Sequence, residues 1–254
     1  MKANQYMKRI LFFLFIFCAC IVHAQEEAIK EAETAYTGEN YEEAIQKYES
    51  ILADHGESSQ IYYNLGNAYY KSGQIAPAIL NYERALLLDP GDSDIRFNLQ
   101  LAKQRAVDKI EPVGEFFLNR WFHSVQAMGA TDSWARLGIV SFLFLIGCLL
   151  LFFFSRRIRL RKVGFYAGIV FLIIVIFSNI FARNQKNERI NRTEAIVFSP
   201  TVTVKSSPDA SGTDLFILHE GTKVSVKSTL GEWNEIESED GNVGWMPVKD
   251  IQII

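Results

Sequence analysis

Apolar residues change their spacing several times along this chain, and each change marks a different kind of structure. Between residues 40 and 90 they fall at every third or fourth position, the period of an amphipathic helix. The pattern also returns: Ala44, Tyr48 and Ile51 are answered 34 residues later by Ala78, Tyr82 and Ala85. That period predicts pairs of antiparallel helices, each stacked on the next. In the second copy Tyr62, Leu65, Gly66 and Tyr69 lie on one helix, Ala78, Tyr82 and Ala85 on its partner, and Pro90-Gly91 ends the pair. Gly66 and Ala78 are the small residues that let the two helices approach. The first copy keeps its second helix, Asn40 to Leu52, but has Ala32 and Ala35 where the second has Gly66 and Tyr69, and it reads as a degenerate end repeat. Asp94 to Val107 predicts one further helix, with Ile95, Leu99 and Ala102 on its apolar face, capping the stack.

Three runs are apolar without period. The first, Ile10 to Val22, follows Lys2, Lys8 and Arg9 and precedes Val22-His23-Ala24, the form of a secretory signal peptide cleaved after Ala24. An uncleaved anchor and a lipoprotein processed at Cys20 remain open. The other two, Ala135 to Phe154 and Val163 to Ala182, supply about 20 residues each, enough to cross a bilayer core of about 30 Å. The connection at 155–162 carries Arg156, Arg157, Arg159, Arg161 and Lys162, which the positive-inside rule puts in the cytoplasm. Both flanking regions then face the periplasm, in a two-pass protein of the cytoplasmic membrane. Arg183, Lys186, Arg189 and Arg192 after the second run weaken the charge bias. Neither span carries Asp, Glu, Lys, Arg or His in its interior, so no proton relay, ion site or transport path is visible. Ser141, Gly147 and Cys148 are read as helix-packing residues.

Before the first span, Phe116, Phe117, Trp121, Phe122, Val125 and Met128 form an apolar face at helical spacing. It fits an interfacial helix lying on membrane lipid, or a helix packed under the repeats. From Thr193 the period shortens to alternation. Ala195–Phe198, Thr201–Lys205, Leu215–Leu218, Lys223–Ser228, Glu232–Glu237 and Val243–Pro247 predict six short strands closing into a small barrel. The expected division is therefore a signal peptide at 1–24, helical repeats at 25–108 and a juxtamembrane segment at 109–134. Spans at 135–154 and 163–182 flank the basic loop, and a linker at 183–192 leads to the β-domain at 193–254. The fold class is multidomain: an all-α stack, a transmembrane hairpin and a small all-β barrel.

Composition narrows the chemistry. The net charge is −3 and no Lys/Arg stripe is interleaved with aromatics, which excludes nucleic acid as a partner. The cysteines, Cys18, Cys20 and Cys148, all lie in apolar runs, so neither soluble region offers a thiol for catalysis or metal binding. His55, His123 and His219 fall in separate regions with no motif around them, and no metal, cofactor or catalytic residue is expected.

The repeat signature is that of the tetratricopeptide family. Val202-Thr203-Val204-Lys205-Ser206-Ser207-Pro208, His219-Glu220-Gly221-Thr222, Gly231-Glu232-Trp233 and Asp240-Gly241-Asn242-Val243-Gly244-Trp245 together resemble a bacterial Src-homology-3-like (SH3-like) domain. The order of parts, with Asn98-Leu99-Gln100-Leu101-Ala102 leading to Asp108-Lys109-Ile110-Glu111, resembles BatE proteins of the Bat aerotolerance family. That resemblance implies partners among other Bat membrane proteins, some carrying von Willebrand factor type A domains, and a role in oxygen tolerance or stress survival.

On a tetratricopeptide stack the first helix of each repeat lines the concave face. That points Gln60, Tyr63, Asn67, Tyr70 and Lys71 inward, with Asn98 added by the next helix, as candidate partner contacts. Tyr62, Tyr69 and Tyr82 are read as packing residues. The SH3 resemblance implies peptide binding, including cell-wall peptide, on a shelf made by Trp233 and Trp245, although at least one of the two is expected in the core. The sequence thus describes a non-enzymatic scaffold, with a wall-peptide tether as the rival reading.

Overall fold

The computed structural model describes residues 26–110, 114 and 116–254, so the leader expected at 1–24 lies outside them. Helix α1 covers 26–37, followed by α2 (Tyr41–His55), α3 (Ser59–Lys71), α4 (Ile75–Leu88) and α5 (Ser93–Lys103). Each packs on its neighbours in the chain. The α3–α4 contact turns on Gly66, where a Cβ would lie 2.7 Å from ring carbons of Tyr82. Only a hydrogen fits there, and Tyr82 is buried against it. The first pair lacks that glycine but meets through Ala32, Ala35 and Ala44, all buried, which explains why a degenerate repeat still packs. Asp92 caps α5 by accepting from the backbone N–H groups of Asp94 and Ile95, at 2.8 and 3.1 Å. This helix stops at Lys103, short of the expected Val107, as Arg105 and Ala106 turn back onto the carbonyls of Ala102 and Lys103.

Helix α6 (Phe117–Gln126) precedes two long helices, α7 (Thr131–Phe154) and α8 (Ile158–Ile190). Both are long and apolar enough to cross a membrane. Only 11% and 17% of the residues in their most apolar windows are buried, unlike the core helices of a water-soluble fold. At Gly164 a Cβ would sit 2.8 Å from the Cys148 carbonyl oxygen, so the helices touch backbone to backbone. Ser141 and Cys148 are buried in this seam as expected; Gly147 is not, because a Cβ there meets nothing within 4 Å. The 33 residues of α8 span about 50 Å. The helix therefore continues through most of the segment expected as a linker and reaches α4. Gln185, near its end, donates to the carbonyls of Gln126 and Gly129, both at 2.9 Å, and accepts from Thr131 Oγ1 at 3.1 Å. These bonds dock α6 beside the hairpin, with Phe122 and Trp134 against Phe181. Phe116, Phe117, Trp121 and Met128 stay exposed rather than packing under the repeats.

The C-terminal region forms one antiparallel sheet of seven strands: β1 (Glu194–Val197), β2 (Thr201–Lys205), β3 (Asp214–His219), β4 (Lys223–Leu230), β5 (Trp233–Ser238), β6 (Val243–Pro247) and β7 (Ile251–Ile253). The strand order is β3-β2-β6-β5-β4-β1-β7, an open sheet rather than the closed barrel anticipated. The unpredicted β7 supplies the reason. It pairs with β1, and the helical stack rather than β3 meets this end: Arg84 Nη2 donates to the Ile253 carbonyl at 2.7 Å. Ile196 and Ile254 enter the same apolar cluster as Ile79, Tyr82 and Leu99, so stack and sheet share a core. Gly221, at φ +85°, makes the turn between β3 and β4 and brings it within 3.1 Å of Ile79 Cδ1, measured from the Cβ that glycine lacks.

Candidate partner-binding site

The expected contact residues fall into a connected set and two outliers. Asn98 of α5 donates through Nδ2 to Tyr63 Oη at 3.0 Å and to Asn67 Oδ1 at 2.8 Å. Tyr82, on α4, donates its hydroxyl to the same Asn67 oxygen at 2.7 Å. An amide oxygen has two lone pairs and an amide nitrogen two hydrogens, so Asn67 Oδ1 and Asn98 Nδ2 are fully used. What remains for a ligand is Asn67 Nδ2, the Tyr63 hydroxyl proton and Asn98 Oδ1. Two donors and one acceptor, held in place, match the carbonyl and N–H groups of an extended peptide. Tyr70 lies on the same face with the Arg105 guanidinium 4.4 Å from its ring centre, a cation–π contact. Gln60 and Lys71, at opposite ends of α3, are exposed and border the site.

Sequence reasoning missed part of this. Tyr82 packs as expected, yet its hydroxyl also orients Asn67. Burial pushes its phenol well above the usual range, with Tyr63, Tyr36 and Tyr70 adding to the effect. Tyr48 is pushed up to about 12, first by burial and then by Glu33 and Tyr36. These hydroxyls therefore stay protonated throughout the physiological range. Arg105 and Tyr36 carried no motif, and only a three-dimensional arrangement brings them to this face.

On the sheet, β5 and β6 alternate strictly. Ile236 and Met246 point inward and are fully buried, which leaves Trp233 and Trp245 half-buried on the outer face. The expectation that one of them fills the core is thus corrected. Gly244 makes room for the fully buried Val204, which lies 2.5 Å from where a Cβ would sit. Trp233 stands opposite Pro247 and Trp245 opposite Glu235. A groove of about 520 Å³ beside Trp233 is lined by Pro247, Val248 and Lys249 but does not include Trp245.

A cluster of His, Asp and hydroxyl also forms where stack and sheet meet. Asp108 accepts from the His219 backbone N–H and from Thr222 Oγ1, each at 2.7 Å, and its other oxygen lies 2.7 Å from His219 Nδ1. Burial raises the Asp108 carboxyl, but the bonds from His219 and Thr222 outweigh that and hold it below its usual value. The hydroxyl donates to the carboxylate and not to the imidazole, so the three groups do not form a hydroxyl–imidazole–carboxylate relay, and the cluster ties two modules together. A second tie is Glu83, between Lys103 at 2.8 Å and Lys223 at 3.1 Å, with Lys223 also reaching Glu194 at 2.7 Å. Burial pushes the Glu83 carboxyl up, and the two lysines more than reverse it. Arg192 Nη2 completes the set on Glu57 at 2.5 and 2.7 Å.

No curated protein matches the chain. Residues 59–92 match the family model for the tetratricopeptide repeat, which covers α3, α4 and the turn that follows, the segment that supplies Tyr63, Asn67, Tyr70 and Tyr82.

Proposed function

We propose that this chain is a non-enzymatic, membrane-anchored scaffold that gathers envelope proteins by holding extended segments on the Tyr63–Asn67–Asn98 face. The observation that carries the reading is the hydrogen-bond network that fixes both asparagines and leaves free donors and an acceptor of peptide-like pattern, within a repeat type that binds proteins. In this proposal α7 and α8 cross the cytoplasmic membrane as a hairpin, with Arg156, Arg157 and Arg159 on the cytoplasmic side. Helix α6 rests its exposed Phe117 and Trp121 in the lipid interface. Stack and sheet then face the periplasm after a leader is cleaved at Ala24. The sheet is read as an SH3-like module, supported by the positive φ of Gly221, Gly231 and Gly241 at the turns that carried the resemblance. The Bat aerotolerance system supplies the proposed partners, membrane proteins with von Willebrand factor type A domains.

The groove beside Trp233 favours a second reading, a tether for cell-wall peptide. Affinity recovery of the tagged protein from mildly solubilised membranes after crosslinking separates the two. Loss of bound membrane proteins in Asn67→Ala/Tyr70→Ala, with Trp233→Ala/Trp245→Ala unaffected, supports the scaffold. Wall peptides recovered alone, and lost only in the tryptophan variant, reject it in favour of the tether.

A further inference from the structure

We propose a second peptide-binding site in the groove between α2 and α4, on the side of α3 away from the amide face. The groove holds about 330 Å³ and is lined by Tyr62, Leu65 and Tyr69 of α3, with Phe198 and Gln252 of the sheet module at its border. Among the described residues, two polar atoms lining it lack an intramolecular partner: Asn81 Oδ1 and Arg84 Nε. Asn81 is only 4% exposed. Its amide nitrogen donates to the Pro77 carbonyl at 2.8 Å, which fixes the oxygen as the free acceptor. Arg84 Nη2 is held by the Ile253 carbonyl at 2.7 Å and the guanidinium lies 5.8 Å from the Tyr62 ring centre, which fixes the Nε–H. Buried polar atoms without partners are rare in native folds because leaving them unpaired is costly, and their position in a groove points to a ligand.

One acceptor and one donor, a helical turn apart on α4, complement one residue of an extended segment, whose N–H and carbonyl point to the same side: the N–H to Asn81 and the carbonyl to Arg84. Across the groove Glu49 accepts from the Tyr69 hydroxyl and adds a negative charge. Glu49 sits by Tyr69 and the Arg84 guanidinium by Tyr62, two turns apart on α3, so the chemistry selects an extended segment with Lys or Arg beside the bound residue, on the Glu49 side of the groove. None of these residues belongs to the Tyr63–Asn67–Asn98 face, so the site stands whether or not that face binds.

The test is selection of a phage-displayed heptapeptide library on the full chain in lipid nanodiscs, followed by titration of the enriched peptides. Enriched peptides are expected to carry Lys or Arg and to bind at least tenfold more weakly to Asn81→Leu and to Ala53→Trp. Ala53 lies on the exposed rim, so Ala53→Trp fills the groove without entering the core. Glu49→Gln is expected to weaken them about threefold, and Asn67→Ala/Asn98→Ala to leave them unchanged. The proposal is overturned if no peptide distinguishes the unaltered chain from Ala53→Trp, or if the enriched peptides bind Asn81→Leu as tightly.

Discussion

Helices α3 and α4, like α7 and α8, meet through a glycine that has no room for a Cβ, but the two pairs dispose of their apolar residues in opposite ways. The first buries Leu65, Ile79 and Tyr82, while the second leaves Phe142, Leu143 and Phe153 exposed. Water makes the difference. In water, close approach of α3 and α4 is driven by removing apolar surface from solvent, and forcing the helices apart re-exposes it. In lipid, where the proposed function puts α7 and α8, no such drive exists, and the pair would depend on small residues in the seam and on polar bonds at the end of the hairpin.

Substitution at Gly66 tests the water side of this comparison and carries the largest expected effect. Gly66→Val drives a side chain into the Tyr82 ring and is expected to cost about 3 kcal/mol, read as a large fall in the melting temperature of the protein. Gln185→Leu comes next, at about 2 kcal/mol, since two backbone carbonyls and Thr131 lose their partner. Its signature is faster proteolysis at α6 in nanodiscs. Gly164→Val parts α7 and α8, and because in the proposed membrane setting parted helices meet lipid, the expected loss is about 1 kcal/mol, although the clash, 2.8 Å from the Cys148 carbonyl oxygen, is nearly as close as at Gly66. If thermal unfolding in nanodiscs shows Gly164→Val to be as damaging as Gly66→Val, the distinction between the pairs is wrong. Gly147→Val, with open space around it, should change stability by less than about 0.5 kcal/mol.

Acid sharpens the contrast further, because carboxylates of Asp108 and Glu83 are among the ties between stack and sheet. The Asp108 carboxyl titrates below its usual value in the fold, so its contribution is complete above about pH 4 and is lost as pH falls through the depressed value. Melting temperatures at pH 7 and pH 3 should therefore differ more in the unaltered protein than in Asp108→Asn.

The repeat, both apolar helices and six strands were legible because each is written in local periodicity. Gly66 was legible as a close-approach residue for the same reason. Strand β7 was not: Ile251-Gln252-Ile253 is too short to alternate visibly and exists by pairing with β1. Nor were the ties between modules, since Asp108 with His219 and Glu83 with Lys223 join residues more than a hundred positions apart. Of the candidate site, Tyr63, Asn67 and Asn98 could be placed on one face from the repeat alone. That Tyr82 would serve both core and site could not, because its hydroxyl finds Asn67 only once Gly66 has let the helices close.

Site-specific photocrosslinking in living cells tests the scaffold most directly, with p-benzoylphenylalanine placed at Lys71, exposed at the border of the amide face, and at Asp94 as a control. Adducts with membrane proteins at Lys71, absent at Asp94 and abolished by Asn67→Ala/Asn98→Ala, are the predicted result. Adducts that are the same at both positions, or that survive the asparagine substitutions, would contradict the account.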